Sequence, residues 1–111
     1  MTPLPNPIIP GLYTTRDGPP ALVYSISDDN DEYPVKALTT GRLGVVFEEY
    51  YSDGRYLTTG DAQFDLVALV KPAAELPVEF AERVKNYLEA TSTAANLSRA
   101  LNTDLKSYAT P

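Results

Sequence analysis

The sequence contains neither cysteine nor histidine among its 111 residues. The absence of cysteine excludes disulfides, thiolate zinc sites and cysteine nucleophiles, and it is compatible with the cytosol. The absence of histidine removes the commonest metal ligand and the usual general base at neutral pH. A Ser-His-Asp triad is therefore impossible, and we expect a protein that recognises its target without catalysis, cofactor or metal.

Long apolar runs and an excess of basic side chains are also missing. No segment approaches the roughly 18 apolar residues of a transmembrane helix, and the opening MTPLPNPIIPG lacks the basic and apolar regions of a signal peptide. The formal charge is −6, and residues 1–70 contain four basic and ten acidic side chains, whereas residues 71–111 contain five of each. Because such a surface repels phosphate at long range, we expect no duplex DNA binding and no membrane binding.

The chain is long enough for one domain with a packed core. Its apolar fraction is 43%, and two separate cores of half this length would be too small to be stable. Residues 1–10 carry four prolines and predict an extended N-terminal arm. Within this arm, Ile8 and Ile9 could pack on the chain's own sheet or contact another molecule.

Residues 11–70 predict an antiparallel β domain, because short strand-forming runs alternate there with turn residues. The predicted strands are 11–16, 21–27, 35–40, 45–51, 55–59 and 64–70. They form a meander of five or six strands, either closed as a small SH3-like or Sm-like barrel or left open with a helix on one face. With the helical segment that follows, the predicted fold class is α+β.

Residues 77–108 show helical periodicity. Pro77 suits the first turn of a helix, and Glu79 and Glu82 suit its positive end. Side chains recur at alternating spacings of four and three, as in a heptad seam. The seam consists of Phe80, Val84, Tyr87, Thr91, Ala94, Ser98, Leu101, Leu105 and Tyr108. It predicts one long helix, or two helices that meet near Thr91–Thr93, with Ser92 or Thr93 capping the second.

A seam of this length exceeds what a sheet formed by residues 11–70 covers. We therefore expect residues 77–108 to act as a helical oligomerisation tail through which the chain associates with itself. The expected interface residues are Phe80, Val84, Tyr87, Leu101, Leu105 and Tyr108. The alternative is a helical hairpin that folds back on the sheet.

Two arginines lie beside Asp-Gly turns with tyrosines nearby, at YTTRDG and YYSDGRY. A guanidinium group pairs with phosphate bidentately, and a tyrosine ring stacks on a base, so together they could hold a nucleotide. The expected ligand-binding residues are Arg16, Arg55, Tyr51 and Tyr56, or Arg83 and Arg99 in a variant borne by the helical segment. The structural alternative is that each aspartate caps its own turn and each arginine pairs with a neighbouring carboxylate.

Three other patterns do not predict a site. The acidic loop DDNDE, residues 28–32, lacks the glycine and the bidentate acid of a calcium loop. Glu48 and Glu49 are adjacent on a strand, so they point to opposite faces and cannot form a catalytic pair. The glycines of GRLG, residues 41–44, are turn glycines, since no Lys-Ser or Lys-Thr follows them as in a phosphate-binding loop.

Residues 11–70 resemble a class of small phage-encoded β-domain proteins. The motifs that carry the resemblance are YTTRDG (13–18), YPV (33–35), SDGRY (52–56), Gly60 and DLV (65–67). The resemblance implies a phage or prophage origin more firmly than an activity. The chain departs from the pattern by having DGPP where relatives often have Asp-Gly-Arg-Lys, and by the extension 77–108.

These expectations combine into a non-catalytic phage counter-defence protein. By analogy of architecture, it would sequester a nucleotide immune signal, such as a cyclic nucleotide, as a homo-oligomer in the host cytoplasm. One alternative is a protein–protein inhibitor whose acidic face occupies a basic groove of a host defence protein. That face comprises Asp28, Asp29, Asp31, Glu32, Glu48 and Glu49. Another alternative is a minor virion or assembly protein.

Overall fold

The computed structural model describes residues 2–16, 19–27, 31–56, 64–89 and 95–109, and it confirms the α+β class. The strands are β1 (Thr2–Pro3), β2 (Gly11–Thr15), β3 (Ala21–Ile26), β4 (Val35–Thr40), β5 (Val45–Tyr50) and β6 (Leu66–Pro72). A single 3-10 turn at Ala73–Glu75 leads to α1 (Val78–Glu89) and α2 (Ala95–Ala109). No helix in the described ranges is long and apolar enough to cross a bilayer.

The strands form one antiparallel sheet in the order β1-β6-β2-β3-β4-β5. Strands β2 to β5 are neighbours in both chain and sheet, as a meander requires. Strand β6 returns to the other side of β2, where Leu69 lies opposite Tyr13 and Leu66 opposite Thr15. The sheet is therefore open and has helices on one face, which is the second of the two predicted arrangements.

The strand boundaries follow the sequence pattern closely. The four predicted strands between residues 11 and 51 match β2 to β5 to within one residue. The predicted strand 64–70 instead runs from Leu66 to Pro72, because its last residue pairs with Gly11. Of the predicted strand 55–59, Tyr56 forms an isolated bridge to Tyr50, and residues 57–59 lie outside the described ranges.

The two faces of the sheet carry separate apolar clusters, because alternate residues of each strand point to opposite sides. The helix face holds one cluster, in which Leu12, Leu22, Leu38 and Val45 pack with residues of α1 and α2. The opposite face holds the second cluster. Its buried members are Ile8, Tyr13, Ala21, Val23, Val35, Ala37, Tyr50, Leu66 and Leu69.

The N-terminal arm covers part of this opposite face. Strand β1 pairs with β6, and Ile8 is buried in the cluster whereas Ile9 is 37% exposed. The Tyr13 hydroxyl donates a hydrogen bond to the Ile9 carbonyl at 2.6 Å and accepts one from its N–H group at 3.1 Å. Burial raises the pKa of Tyr13. The arm therefore packs on its own sheet, the first of the two alternatives for Ile8 and Ile9.

The turn after β5 covers the rest of the opposite face and confirms the turn predicted at Ser52-Asp53-Gly54. The Gly54 N–H donates to the Tyr51 carbonyl at 2.9 Å, and the Gly54 carbonyl accepts from the Leu66 N–H at 3.0 Å. Gly54 has a φ of 89°, a left-handed conformation that favours glycine. The turn thereby joins the end of β5 to the start of β6 and protects that end of the edge strand from further pairing.

The helical segment forms two helices, and both pack on the helix face of the sheet. Helix α1 ends at Glu89 and α2 begins at Ala95, and residues 90–94, which include the proposed caps Ser92 and Thr93, lie outside the described ranges. The expected interface residues lie inside this packing: Phe80, Val84, Leu101 and Leu105 are buried, and Tyr87 and Tyr108 are partly buried against them. The length argument for self-association therefore fails, because two short helices side by side bury the seam that one long helix would have left exposed.

The burial of α2 predicts a large loss of stability for Leu105→Ala. Leu105 is completely buried, and a buried Leu→Ala change costs about 2–5 kcal/mol through lost transfer energy and the cavity left behind. Leu88→Ala is the matched control, since Leu88 is 39% exposed on α1, and its loss should be clearly smaller. Urea unfolding followed by circular dichroism measures both. Equal, small losses would contradict the packing described here.

Candidate functional site

Side chains of helix α2 hold the turn between β4 and β5 through hydrogen bonds to the backbone of the turn. The Asn102 amide accepts from the Gly41 N–H and donates to the Gly41 carbonyl, both at 3.0 Å. One helical turn earlier, the Ser98 hydroxyl accepts from the Val45 N–H at 3.0 Å. Gly44 lies so close that a Cβ atom there would overlap Ser98. The turn is therefore fixed to one face of α2 by the polar pair at positions 98 and 102.

A cleft of about 690 Å³ lies beside this attachment, between the turn and the two helices. It is lined by Arg42, Leu43, Tyr87, Ala95, Ser98, Arg99, Asn102 and Thr103. We call this site the Arg42–Arg99 cleft.

Two cationic side chains line the Arg42–Arg99 cleft. Arg42 comes from the turn and Arg99 from α2, and both are exposed. Within the described residues neither forms an ion pair with a carboxylate, and the only hydrogen bond found for the Arg99 guanidinium there goes to the neutral Asn96 side chain at 3.1 Å. None of the described residues that line the cleft is acidic. In a chain of net charge −6, this is a local basic site that suits an anion.

A cluster of aromatic side chains extends from the wall of the cleft. The Tyr87 ring lines it and stacks on Phe47, with centroids 5.8 Å apart and planes 17° from parallel. Tyr24 meets Phe47 edge-on at 6.4 Å. Phe47 is 55% exposed, and the Tyr87 ring on which it stacks provides an aromatic surface in the wall of the cleft. Positive groups beside an aromatic surface can bind the phosphate and the base of a nucleotide.

The predicted site at Arg55 lies among acidic side chains, unlike the Arg42–Arg99 cleft. The Arg55 Nε donates to Asp53 Oδ2 at 2.8 Å, and its guanidinium lies over the Tyr51 ring at 5.2 Å. These residues border a second cavity of about 340 Å³ that also has Asp31 and Glu32 in its wall. The positive charge of Arg55 is therefore paired within its own turn rather than with a neighbouring strand, and the acidic wall disfavours phosphate.

Tyr56 and Arg16 lie away from this cavity. The Tyr56 hydroxyl donates to Glu48 at 2.7 Å, and its ring contacts Tyr50 and Phe64. The Arg16 N–H donates to the Asp65 carbonyl at 3.0 Å, and Arg16 lines none of the cavities described here. Residues 17 and 18 of its turn lie outside the described ranges. The structure thus does not combine Arg16, Arg55 and the tyrosines into one binding site.

Of the two arginines predicted on the helical segment, only Arg99 lines the cleft. Arg83 pairs with Asp104 of α2 at 2.7 Å, so it joins the two helices. Sequence reasoning missed Arg42, because GRLG was interpreted only as a turn, and it assigned Tyr87 to an interface. The signal that could have indicated the site is the pair Ser98 and Asn102, two polar residues one turn apart within the helical segment.

Part of the predicted acidic face has partners within the chain. Lys36 Nζ contacts Asp31 Oδ2 and Glu49 Oε1, each at 2.9 Å, and Glu48 accepts the hydrogen bond from the Tyr56 hydroxyl. Asp28 and Asp29 lie outside the described ranges. Among the described residues, no group of three or more acidic side chains is arranged to hold a metal ion.

Comparison with protein-family models, curated proteins and solved structures finds no match to this chain. The resemblance of residues 11–70 to small phage proteins therefore stays a prediction. The assignment of a site depends on the geometry of the Arg42–Arg99 cleft alone.

Removal of the Asn102 side chain should loosen the β4–β5 turn. In Asn102→Ala the Gly41 N–H and carbonyl lose their partners, and unpaired backbone groups that are partly buried cost about 1–3 kcal/mol. Thr103→Ala is the control, because its hydroxyl bonds only within α2 and should change stability by less than about 0.5 kcal/mol. Urea unfolding compares the two, and equal effects would argue against the attachment.

Loss of Lys36 should raise the pKa of Asp31. The hydrogen bond from Lys36, followed by the Tyr33 N–H, lowers this pKa in the folded chain. The stability that Asp31 contributes is therefore present above its unfolded pKa and is lost as the pH falls through the folded one. An NMR titration of Lys36→Met should show the carboxyl titrating at higher pH than in the parent chain. Lys71→Met, which removes an exposed lysine on β6, should leave the Asp31 titration unchanged.

Proposed function

We propose that this chain is a non-catalytic binding protein that captures a nucleotide in the Arg42–Arg99 cleft. The observation that carries the proposal is the meeting of two arginines at one cleft that no carboxylate lines. The remaining lining groups suit the rest of a nucleotide. The Ser98 hydroxyl can donate to a phosphate oxygen while it accepts from the Val45 N–H, and the ring of Tyr87 offers an apolar surface to a base.

Recognition without chemical conversion fits the groups that the cleft contains. Among the described residues no carboxylate lines it, and the chain has no histidine or cysteine. Arginine stays protonated and acts as a hydrogen-bond donor rather than as a base. The phage resemblance supplies the setting of the proposal, which is sequestration of a nucleotide immune signal in the cytoplasm of an infected host.

The acidic-inhibitor alternative receives less support from the contacts. A basic groove on another protein would have to compete with Lys36 for Asp31 and Glu49, and with Arg55 for Asp53. Such exchanges of one exposed ion pair for another contribute little affinity. The virion alternative has no observation in its favour.

A thermal-shift assay of the intact chain tests the proposal. The panel consists of cyclic mononucleotides, cyclic dinucleotides, ATP and inorganic phosphate. A ligand at 100 times its dissociation constant stabilises the native state by about 2.7 kcal/mol, which should raise the Tm of a chain of this size by on the order of 10 °C. The shift should shrink at high salt, because the cleft is exposed. If no nucleotide raises the Tm, the proposal is wrong.

Matched arginine variants locate the site. Arg42→Gln and Arg99→Gln should each weaken binding about 10- to 100-fold, because a hydrogen bond to a charged group contributes about 1.5–3 kcal/mol. Arg55→Gln removes the same charge from an exposed arginine outside the cleft and should leave the affinity unchanged. Isothermal titration calorimetry measures all three. A loss of affinity in Arg55→Gln with none in Arg42→Gln would move the site to the second cavity.

A further inference from the structure

The two arginines of the cleft are carried by different kinds of backbone. Arg99 belongs to α2, so the hydrogen bonds of the helix fix its backbone. Arg42 belongs to the short turn that follows the last pair of β4 and β5, Thr40 opposite Val45. A turn has fewer backbone bonds of its own than a helix, so the position of Arg42 depends on what the turn is bonded to.

Apolar packing does not hold this turn. Of its two central residues, Arg42 is exposed and Leu43 is 87% exposed. The flanking residues Gly41 and Gly44 have no side chain to pack. A Cβ atom at Gly41 would lie 2.6 Å from the Gly44 carbonyl oxygen, and one at Gly44 would overlap Ser98, so neither position has room for a larger residue. The turn is therefore held through its backbone.

The side chains that bond to this backbone come from α2 and act on both sides of Arg42. Before Arg42, Asn102 bonds to the N–H and the carbonyl of Gly41. After it, Ser98 bonds to the N–H of Val45. Asn102 thus makes two hydrogen bonds to the residue next to Arg42, whereas Ser98 makes one bond three residues further on. Asn102 is therefore the closer constraint on this arginine.

We infer that Asn102 is a positioning residue for anion binding, which acts by holding Arg42 at the cleft. In turn, an anion bound by Arg42 and Arg99 strengthens the attachment of the turn to α2. The inference rests on the proposed function, and it adds that binding and the attachment of the turn are coupled.

Like charge is the physical reason for the coupling. Without an anion, the two guanidinium groups at the cleft repel each other, and no described carboxylate forms an ion pair with either. A turn released from Asn102 allows Arg42 to move away into solvent, where the repulsion is weaker. An anion attracts both arginines and so favours the attached arrangement. Attachment and anion must then strengthen each other by the same factor.

Isothermal titration calorimetry tests the effect on binding, with cyclic AMP, cyclic di-AMP and ATP as probes. In Asn102→Ala, the bound nucleotide must itself order Arg42. We expect the affinity to fall about 3- to 10-fold, which is the cost of ordering one long side chain on binding. Asn86→Ala is the matched control, because Asn86 is exposed on α1 and does not line the cleft. It should leave the affinity unchanged.

Double variants show through which arginine Asn102 acts. Changes at residues that act together are not additive, whereas changes at independent sites are. Asn102→Ala combined with Arg42→Gln should bind as weakly as Arg42→Gln alone, because Asn102 acts only through Arg42. Asn102→Ala combined with Arg99→Gln should show the product of the two losses. A general loosening of the fold would multiply the losses in both combinations, and that result would overturn the inference.

Hydrogen exchange of the unmutated chain gives a measurement that requires no variant to fold. The amides of Gly41 and Val45 exchange when their bonds to α2 open. A saturating nucleotide should slow both about 3- to 10-fold, the same factor by which the attachment strengthens binding. The Gly54 amide is the control, since it bonds to the Tyr51 carbonyl in the turn on the opposite face of the sheet and should be slowed clearly less.

The outcomes separate the inference from the function on which it rests. If a probe binds the parent chain and Asn102→Ala binds it equally well, the inference is overturned and nucleotide binding stands. The same conclusion follows if the bound probe leaves the exchange of the Gly41 amide unchanged. If Asn102→Ala does not fold, the exchange measurement decides. If no probe binds the parent chain, both the function and the inference fall.

Discussion

The attachment of α2 to the turn between β4 and β5 is the constraint on which the rest of the structure depends. Through Asn102 and Ser98, the helix bonds directly to backbone groups of Gly41 and Val45. These bonds fix where α2 crosses the sheet, and α1 then packs beside α2, joined to it by the Arg83–Asp104 pair. The same attachment places Arg42 of the turn and Arg99 of α2 in the lining of one cleft. Helix α2 therefore both completes the core and forms part of the candidate site.

The distribution of charge follows from this arrangement. Most acids on the described strands and turns have partners within the chain, because the sheet places Lys36 between Asp31 and Glu49 and the turn after β5 places Arg55 on Asp53. The arginines of the cleft are different, since no described carboxylate reaches them. A negative chain can therefore hold an anion at one place, and net charge alone is a poor guide to what such a protein binds.

The sequence predicted the β part well, because alternating burial and turn residues are local signals. Strands β2 to β5 match within one residue, and the helical segment forms two helices, α1 and α2, one of its two predicted arrangements. The length argument for self-association failed for a physical reason, whereas self-association itself stays a prediction. The seam indicates that its residues are buried, but it does not indicate whether they pack on the chain's own sheet or on another subunit. The sheet is wide enough to cover two short helices side by side. Four of the six expected ligand residues likewise serve as local structure or pair within the chain, and Tyr51 lies under Arg55.

By itself, the sequence determined the α+β class, the order of most strands, the turn at Gly54 and the absence of histidine and cysteine chemistry. These depend on residue identity and on spacings of a few positions. Only the tertiary structure decided that Arg42 and Arg99 share one cleft while Arg55 and Arg16 do not. Arg42 and Arg99 are 57 positions apart in the sequence, and they line the same cleft only because α2 bonds to a turn of the sheet. No local pattern encodes such a contact, because it depends on how the whole helix face of the sheet is covered.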